Sequence, residues 1–186
     1  MVRNAMNEWG WPARLFHWLG AAAILVLLAH GWWMTHVTAR PDRIANYAWH
    51  AALGYDLLVV MVLRLTWRWF GGVPALPGDA KPWERIAASV SHVLLYLLTF
   101  ATTLAGWAMA GTMRTPLTHD LLGVSFPLIY VSQDRAAHEF LEDGHKLLAY
   151  VLAGIVVIHI AGALRHHLIK RNDVLRRMVW PVSRPA

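Results

Sequence analysis

The sequence predicts an all-α membrane protein, a bundle of four transmembrane helices with both termini cytoplasmic. Three observations carry that prediction. Of 186 residues, 57% are hydrophobic and only 15% charged, with a mean hydropathy of +0.39, a balance that suits helices in lipid. Four apolar runs each reach the roughly 20 residues that a span needs. The basic residues gather at the ends of those runs, mostly on one side. That placement also disposes of nucleic acid as a partner, which a net charge of +6 and a pI near 10.2 would otherwise suggest. There is no cysteine, so disulfides, iron–sulfur ligation and covalent haem attachment are excluded, and any cofactor must be held by other side chains.

The whole chain, 1–186, is expected to form one domain. Helix one is placed at about 15–36 (LFHWLGAAAILVLLAHGWWMTH). The preceding residues lack a short apolar core followed by small residues, so this run is expected to stay as an anchor. Helix two, at about 47–69, follows a short link containing Pro41. The stretch FGGVPALPGDAKPWE then breaks the chain with three prolines and three glycines before helix three at about 86–110. A longer proline-bearing connection, expected to lie along the interface or cap the bundle, leads to helix four at about 138–169. Trp9, Trp11, Trp32, Trp33, Trp67, Trp69, Trp83 and Trp180 flank the runs as interface anchors.

With the amino terminus inside, the inner segments carry Arg3, Arg14, Arg64, Arg68, Lys81, Arg85, Arg165, Lys170, Arg171, Arg176, Arg177 and Arg184, twelve in all. The outer segments carry five: Arg40, Arg43, Arg114, Arg135 and Lys146. Twelve against five puts both termini in the cytoplasm, as an even number of spans requires.

Histidines sort by depth on this topology. His145 and His159 are fourteen residues apart, which at about 100° per residue is about 40° short of four turns, so both rings point to one side. They stand about 21 Å apart along the axis, most of a hydrocarbon core of about 30 Å. His17, at the inner end of helix one, matches His159 in depth, and His50, at the outer end of helix two, matches His145. Two such pairs, each drawn from different helices, are what bis-imidazole ligation of two non-covalent b-type haems requires. Small residues nearby, Gly20, Gly54, Gly144, Gly154 and Gly162, leave room for a macrocycle or for close helix contact.

Other uses of these residues compete. Zinc needs three or four ligands in one small sphere, which groups about 21 Å apart cannot supply. A proton relay is the stronger rival, with Asp56 as its carboxylate. His92, near the inner end of helix three, competes for the inner site, whereas His30 turns about 140° from His17 and is assigned to the outer interface. His166 and Lys170, seven and eleven residues after His159, share its face on a continuing helix and form a candidate quinone contact, set against a simple role at lipid headgroups for the basic cluster. Arg114, Arg135 and Lys146 are candidates for steering an anion to the outer end, or serve as plain interface charges.

The patterns RLFHW (14–18), WHAALGYDLLVVMVLRLTWR (49–68), SHVLLYLLTFATTLAGWAMA (91–110) and GHKLLAYVLAGIVVIHIAGALRHHLIKRNDVLRRM (144–178) resemble the bacterial cytochrome b561 family over nearly the whole chain. The most specific part is the fourteen-residue histidine pair followed by HH, a basic stretch and LRRM. The resemblance implies a multi-pass protein of the bacterial inner membrane, with haem ligands at His17, His50, His145 and His159. It also implies electron transfer: some members oxidise superoxide and pass electrons to ubiquinone, while others are cytochrome b subunits of hydrogenases or pair with cytochromes c. The expected activity is therefore superoxide oxidation at the periplasmic side with ubiquinone as acceptor. The alternative is a subunit relaying electrons for a redox partner protein.

Overall fold

The protein was analysed as a computed structural model that describes residues 4, 8–37, 42–75, 80–113, 120–121, 124–125 and 134–180. Four long helices dominate: α1 (Trp11–His36), α2 (Arg43–Gly71), α3 (Pro82–Ala110) and α4 (Arg135–Leu164). A single π-turn, Arg165–Ile169, extends α4, and a short α5 (Arg176–Val179) follows. Two two-residue strands, β1 (Asp120–Leu121) and β2 (Val124–Ser125), pair antiparallel in the α3–α4 connection, most of which lies outside the described residues. All four long helices are long and apolar enough to cross a membrane.

Each of the four starts three or four residues earlier than its apolar run. The run marks only what hydrocarbon must cover, whereas the first turn is built from polar and imino groups. Pro12 sits in the first turn of α1, where its missing N–H costs nothing. Pro82 opens α3, and the Glu84 carboxylate accepts from the Lys81 backbone N–H at 2.8 Å, closing the turn from inside. At the other end of α2, Gly72 takes φ 69°, a left-handed conformation that releases the chain from the helix.

α1 packs on α2 and α3 on α4, and the two pairs join through α2 and α3. α1 and α4 make at most marginal backbone contact and meet through side chains such as His17 and His159. The amino-terminal segment, the α2–α3 link and the tail meet at one end, here called proximal. Asn4 Nδ2 donates to the Gly72 carbonyl, Trp18 Nε1 to Met178 and Arg177 Nη1 to Ala75. The proximal end is the one that the Lys and Arg counts assign to the cytoplasm.

Large apolar residues face outward along all four helices, among them Leu25, Val62, Leu97 and Ile158. In water such a surface would drive association; against lipid it is the proper solvent-facing side. Inside, Ile24, Leu27, Leu57, Met61 and Leu152 form the buried core. Thr99, only 1% exposed, joins the same level and donates its hydroxyl to the Leu95 carbonyl at 2.7 Å.

Candidate functional site

The interior is organised in three tiers seven residues apart. Ile24, Leu57, Thr99 and Leu152, one from each long helix, make the middle tier, all buried. Seven residues toward the proximal end stand His17, Arg64, His92 and His159. Seven residues the other way stand Gly31, His50, Gly106 and His145. Seven residues at about 100° each fall only about 20° short of two turns, so one stripe per helix supplies all three tiers. The fourteen-residue step noted between His145 and His159 thus recurs as His17 to Gly31, His50 to Arg64 and His92 to Gly106.

In the distal tier the rings of His50 and His145 lie 6.2 Å apart, centre to centre, with planes at 83°. His145 Nδ1 lies 2.9 Å from the Thr102 carbonyl. A carbonyl only accepts, so Nδ1 carries the proton and Nε2 of the neutral ring keeps its lone pair. The two remaining positions are glycines that the histidine rings press against. A Cβ on Gly106 would sit 3.0 Å from His145 Cε1, and one on Gly31 would sit 3.2 Å from His50 Cε1. Sequence reasoning passed over both glycines, although the fourteen-residue step from His17 and His92 points straight at them. Of the glycines it singled out, Gly54, Gly144, Gly154 and Gly162 face open space.

His30, assigned to the outer interface, instead lies beside His50, ring centres 5.8 Å apart and planes 18° apart. The reason is angular: Gly31 is the residue facing the bundle axis, and one residue back, about 100° round, points over the α1–α2 seam. There His30 Nε2 lies 3.2 Å from Asn46 Oδ1, to which it donates.

In the proximal tier His17 and His159 lie 6.3 Å apart, and His92 approaches His159 to 5.4 Å. Arg64 Nη2 donates to His17 Nδ1 at 2.9 Å, and its guanidinium carbon sits 5.4 Å over the Tyr96 ring. These residues line a cavity of about 450 Å³, which Arg68 and Arg85 also line together with Asn4, Val73 and Arg177 of the proximal end. His166 and Lys170 do not line it. The expected shared face with His159 presumed an unbroken α-helix, and the π-turn at Arg165–Ile169 changes the rotation there. Lys170 Nζ donates to Glu84 at 2.5 Å, Arg165 Nη1 to the same carboxylate at 2.6 Å, and His166 Nδ1 lies 3.0 Å from Asn172 Nδ2.

Of the three cations considered for anion steering, Arg114 lies outside the described residues. Arg135 pairs with Glu139 and Lys146 with Glu142, each at 2.7 Å across one helical turn. Asp134 and Asp143 lie on the same distal stretch, so carboxylates outnumber cations there.

A sequence profile of prokaryotic cytochrome b561 matches residues 8–181. The chain belongs to the prokaryotic cytochrome b561 family. Cytochrome b561 homolog 2 of Escherichia coli is 28% identical over 181 residues, covering 97% of this chain and 95% of its own. A probable Ni/Fe-hydrogenase B-type cytochrome subunit of Cupriavidus necator is 23% identical, covering 90% and 82%. A probable superoxide oxidase CybB of Yersinia pestis is 25% identical, covering 88% and 90%. This cytochrome b561 is accordingly a membrane electron-transfer protein of a b-type haem family.

The distal residues fit such a group. A metal–imidazole bond of about 2.0 Å, with the ring centre about 1.1 Å behind the bonded nitrogen, sets two imidazoles across one iron about 6.2 Å apart. His50 and His145 have that spacing, a free Nε2 on His145, and a buried His50 Nδ1 that has no hydrogen-bond partner. Gly31 and Gly106 omit the side chains that would crowd the rings. His17 and His159 have the spacing and a cavity, while His92 and His159 stand closer than two ligands of one iron. Ligation through His17 Nε2 requires the ring proton on Nδ1, and therefore requires Arg64 to turn from Nδ1. Among the described residues no three or more His, Cys, Asp or Glu are placed to hold one metal ion between them, which suits histidine pairs to a macrocycle that brings its own further nitrogens.

Proposed function

We propose that this cytochrome b561 carries electrons across the bacterial inner membrane between two bis-histidine sites, from superoxide at the periplasmic, distal end to ubiquinone at the cytoplasmic, proximal end. The observation that carries this reading is the stacking of two histidine pairs, each spaced for one iron, on opposite sides of a buried apolar tier. When bound, b-type haem supplies a one-electron iron centre at each pair. The protein does the rest. His50 and His145 hold the distal group, with the Thr102 carbonyl fixing the His145 tautomer. His17 and His159 hold the proximal one. Ile24, Leu57, Thr99 and Leu152 keep water out of the interval between them. Arg135 and Lys146, with Arg114, supply the cations that superoxide would meet. At the proximal end, His166 on the π-turn and Lys170, which Glu84 holds, are the proposed quinone contacts.

Two haems per chain, extractable by acid acetone, with low-spin six-coordinate spectra in both redox states, are expected of the purified protein. A reproducible value of one removes a pair. Superoxide should reduce those haems in the protein purified alone, and ubiquinone should reoxidise them.

One observation favours a second reading, a subunit that relays electrons for a partner protein. The distal cations Arg135 and Lys146 are each paired with a carboxylate, and the stretch around them is acidic, a surface better matched to a basic protein than to an anion. If superoxide leaves the haems oxidised while a chemical reductant and quinone cycle them, this second reading replaces the first.

A further inference from the structure

The two ligand tiers differ in fixed charge: the proximal tier itself contains Arg64, with Arg68 and Arg85 further out on the same cavity. Where the distal tier has Gly31 and Gly106 beside its histidines, the proximal tier has His92 and Arg64. Arg64 is half-buried, and none of the ion pairs among the described residues includes it. It bonds the His17 imidazole and lies over the Tyr96 ring, over which Arg68 also sits, 5.8 Å from the ring centre. A guanidinium does not lose its proton in a protein, so this charge is permanent. An uncompensated cation inside a bundle acts through a poorly screening medium on whatever lies next to it.

Resting on the reading of His17 and His159 as one ligand pair, we propose that Arg64 sets the redox potential of the proximal site and makes it the electron sink of the two. An iron held by two neutral imidazoles carries one more positive charge when oxidised than when reduced. Arg64 turned from His17 Nδ1 still stands in the same tier, and a permanent cation there disfavours the oxidised state and raises the potential. The distal position on the same helix is His50, and the two distal positions without a histidine are the glycines Gly31 and Gly106, so the distal tier holds no cation and the distal site escapes the effect. Electrons entering at the distal end then fall toward the proximal one, where the acceptor is proposed to dock. Arg64 is a positioning residue in this scheme: it acts through the field at the ligand pair and touches neither donor nor acceptor.

Spectroelectrochemical titration of the purified, haem-loaded chain tests this. The wild type should show two one-electron components, of which His17→Ala removes the higher. In Arg64→Met that higher component should fall at least tenfold in its reduction equilibrium, about 59 mV for one electron, while the lower stays in place. Arg64→Lys, which keeps the charge, should stay close to the wild type. Unchanged potentials in an Arg64→Met protein that retains both haems overturn the proposal, as does loss of the proximal haem from both variants, which would make Arg64 a structural clasp. If instead the component moved by Arg64→Met survives His17→Ala, the ligand pair itself has been misassigned.

Discussion

A histidine that ligates iron must aim one nitrogen and hold the other still, and neighbours decide whether it can. His145 is held by the Thr102 carbonyl and backed by Gly106, so its ring has one orientation. Gly106→Val should crowd the ring at the point where even a Cβ stands 3.0 Å from Cε1. Overpacking of this kind costs about 1–3 kcal/mol, so the variant is expected to lose distal haem while keeping the proximal one, as read by haem content and by the two potentials. His50→Ala should likewise empty only the distal site and His17→Ala only the proximal one. If His92→Ala empties the proximal site and His17→Ala does not, His92 is the ligand. Depth matching made the closeness of His17 to His159 and of His50 to His145 legible in the sequence, because helix rise and rotation are fixed. The glycines were not legible singly, since an isolated glycine in a membrane helix has many uses, and Arg64 read as one more cytoplasmic charge. Both kinds of residue stand out only once the fourteen-residue step is applied to all four helices.

At the scale of elements, the apolar runs located the helices but not their first turns, which Pro12, Pro82 and Glu84 build from groups that hydropathy does not weigh. The π-turn was invisible for a different reason: nothing in RHHLI distinguishes it from another α-turn, and it is the tertiary clasp of Arg165 and Lys170 onto Glu84 that accompanies it. Glu84 side-chain atoms are only 3% exposed, yet they receive two cations and a backbone N–H. Glu84→Gln should leave Arg165 and Lys170 facing a neutral amide, loosen the junction of α3 with the end of α4, and lower the unfolding temperature by a few degrees. Amide exchange should rise over 165–170 and not over the distal half of α4. His166→Ala lies on the same turn but outside the clasp, so it is expected to leave stability and haem content alone and to slow only reoxidation by quinone.

For the whole molecule, the middle tier is what makes two sites out of one interior. Leu152→Ala removes a side chain that is 3% exposed at the centre of that tier, and about 2–5 kcal/mol of stability should go with it. Both haems should remain, because no ligand has moved, and thermal unfolding followed by haem release separates the two effects. The fold class was legible from composition and four runs, since a chain this apolar has few ways to satisfy its backbone in lipid. The pairing of α1 with α2 and of α3 with α4 was not, because it follows from the fit of side chains between helices, which hydropathy does not weigh. The seven-residue repeat also makes α4 a ruler. One residue inserted between His145 and His159 would swing one ring about 100° out of phase and disable a site, whereas seven would keep the phase within about 20° and lengthen the interval by about 10 Å. Phase alone would therefore tolerate a longer protein. Bilayer thickness would not, and the length of this segment is fixed by the lipid as much as by the chemistry at its two ends.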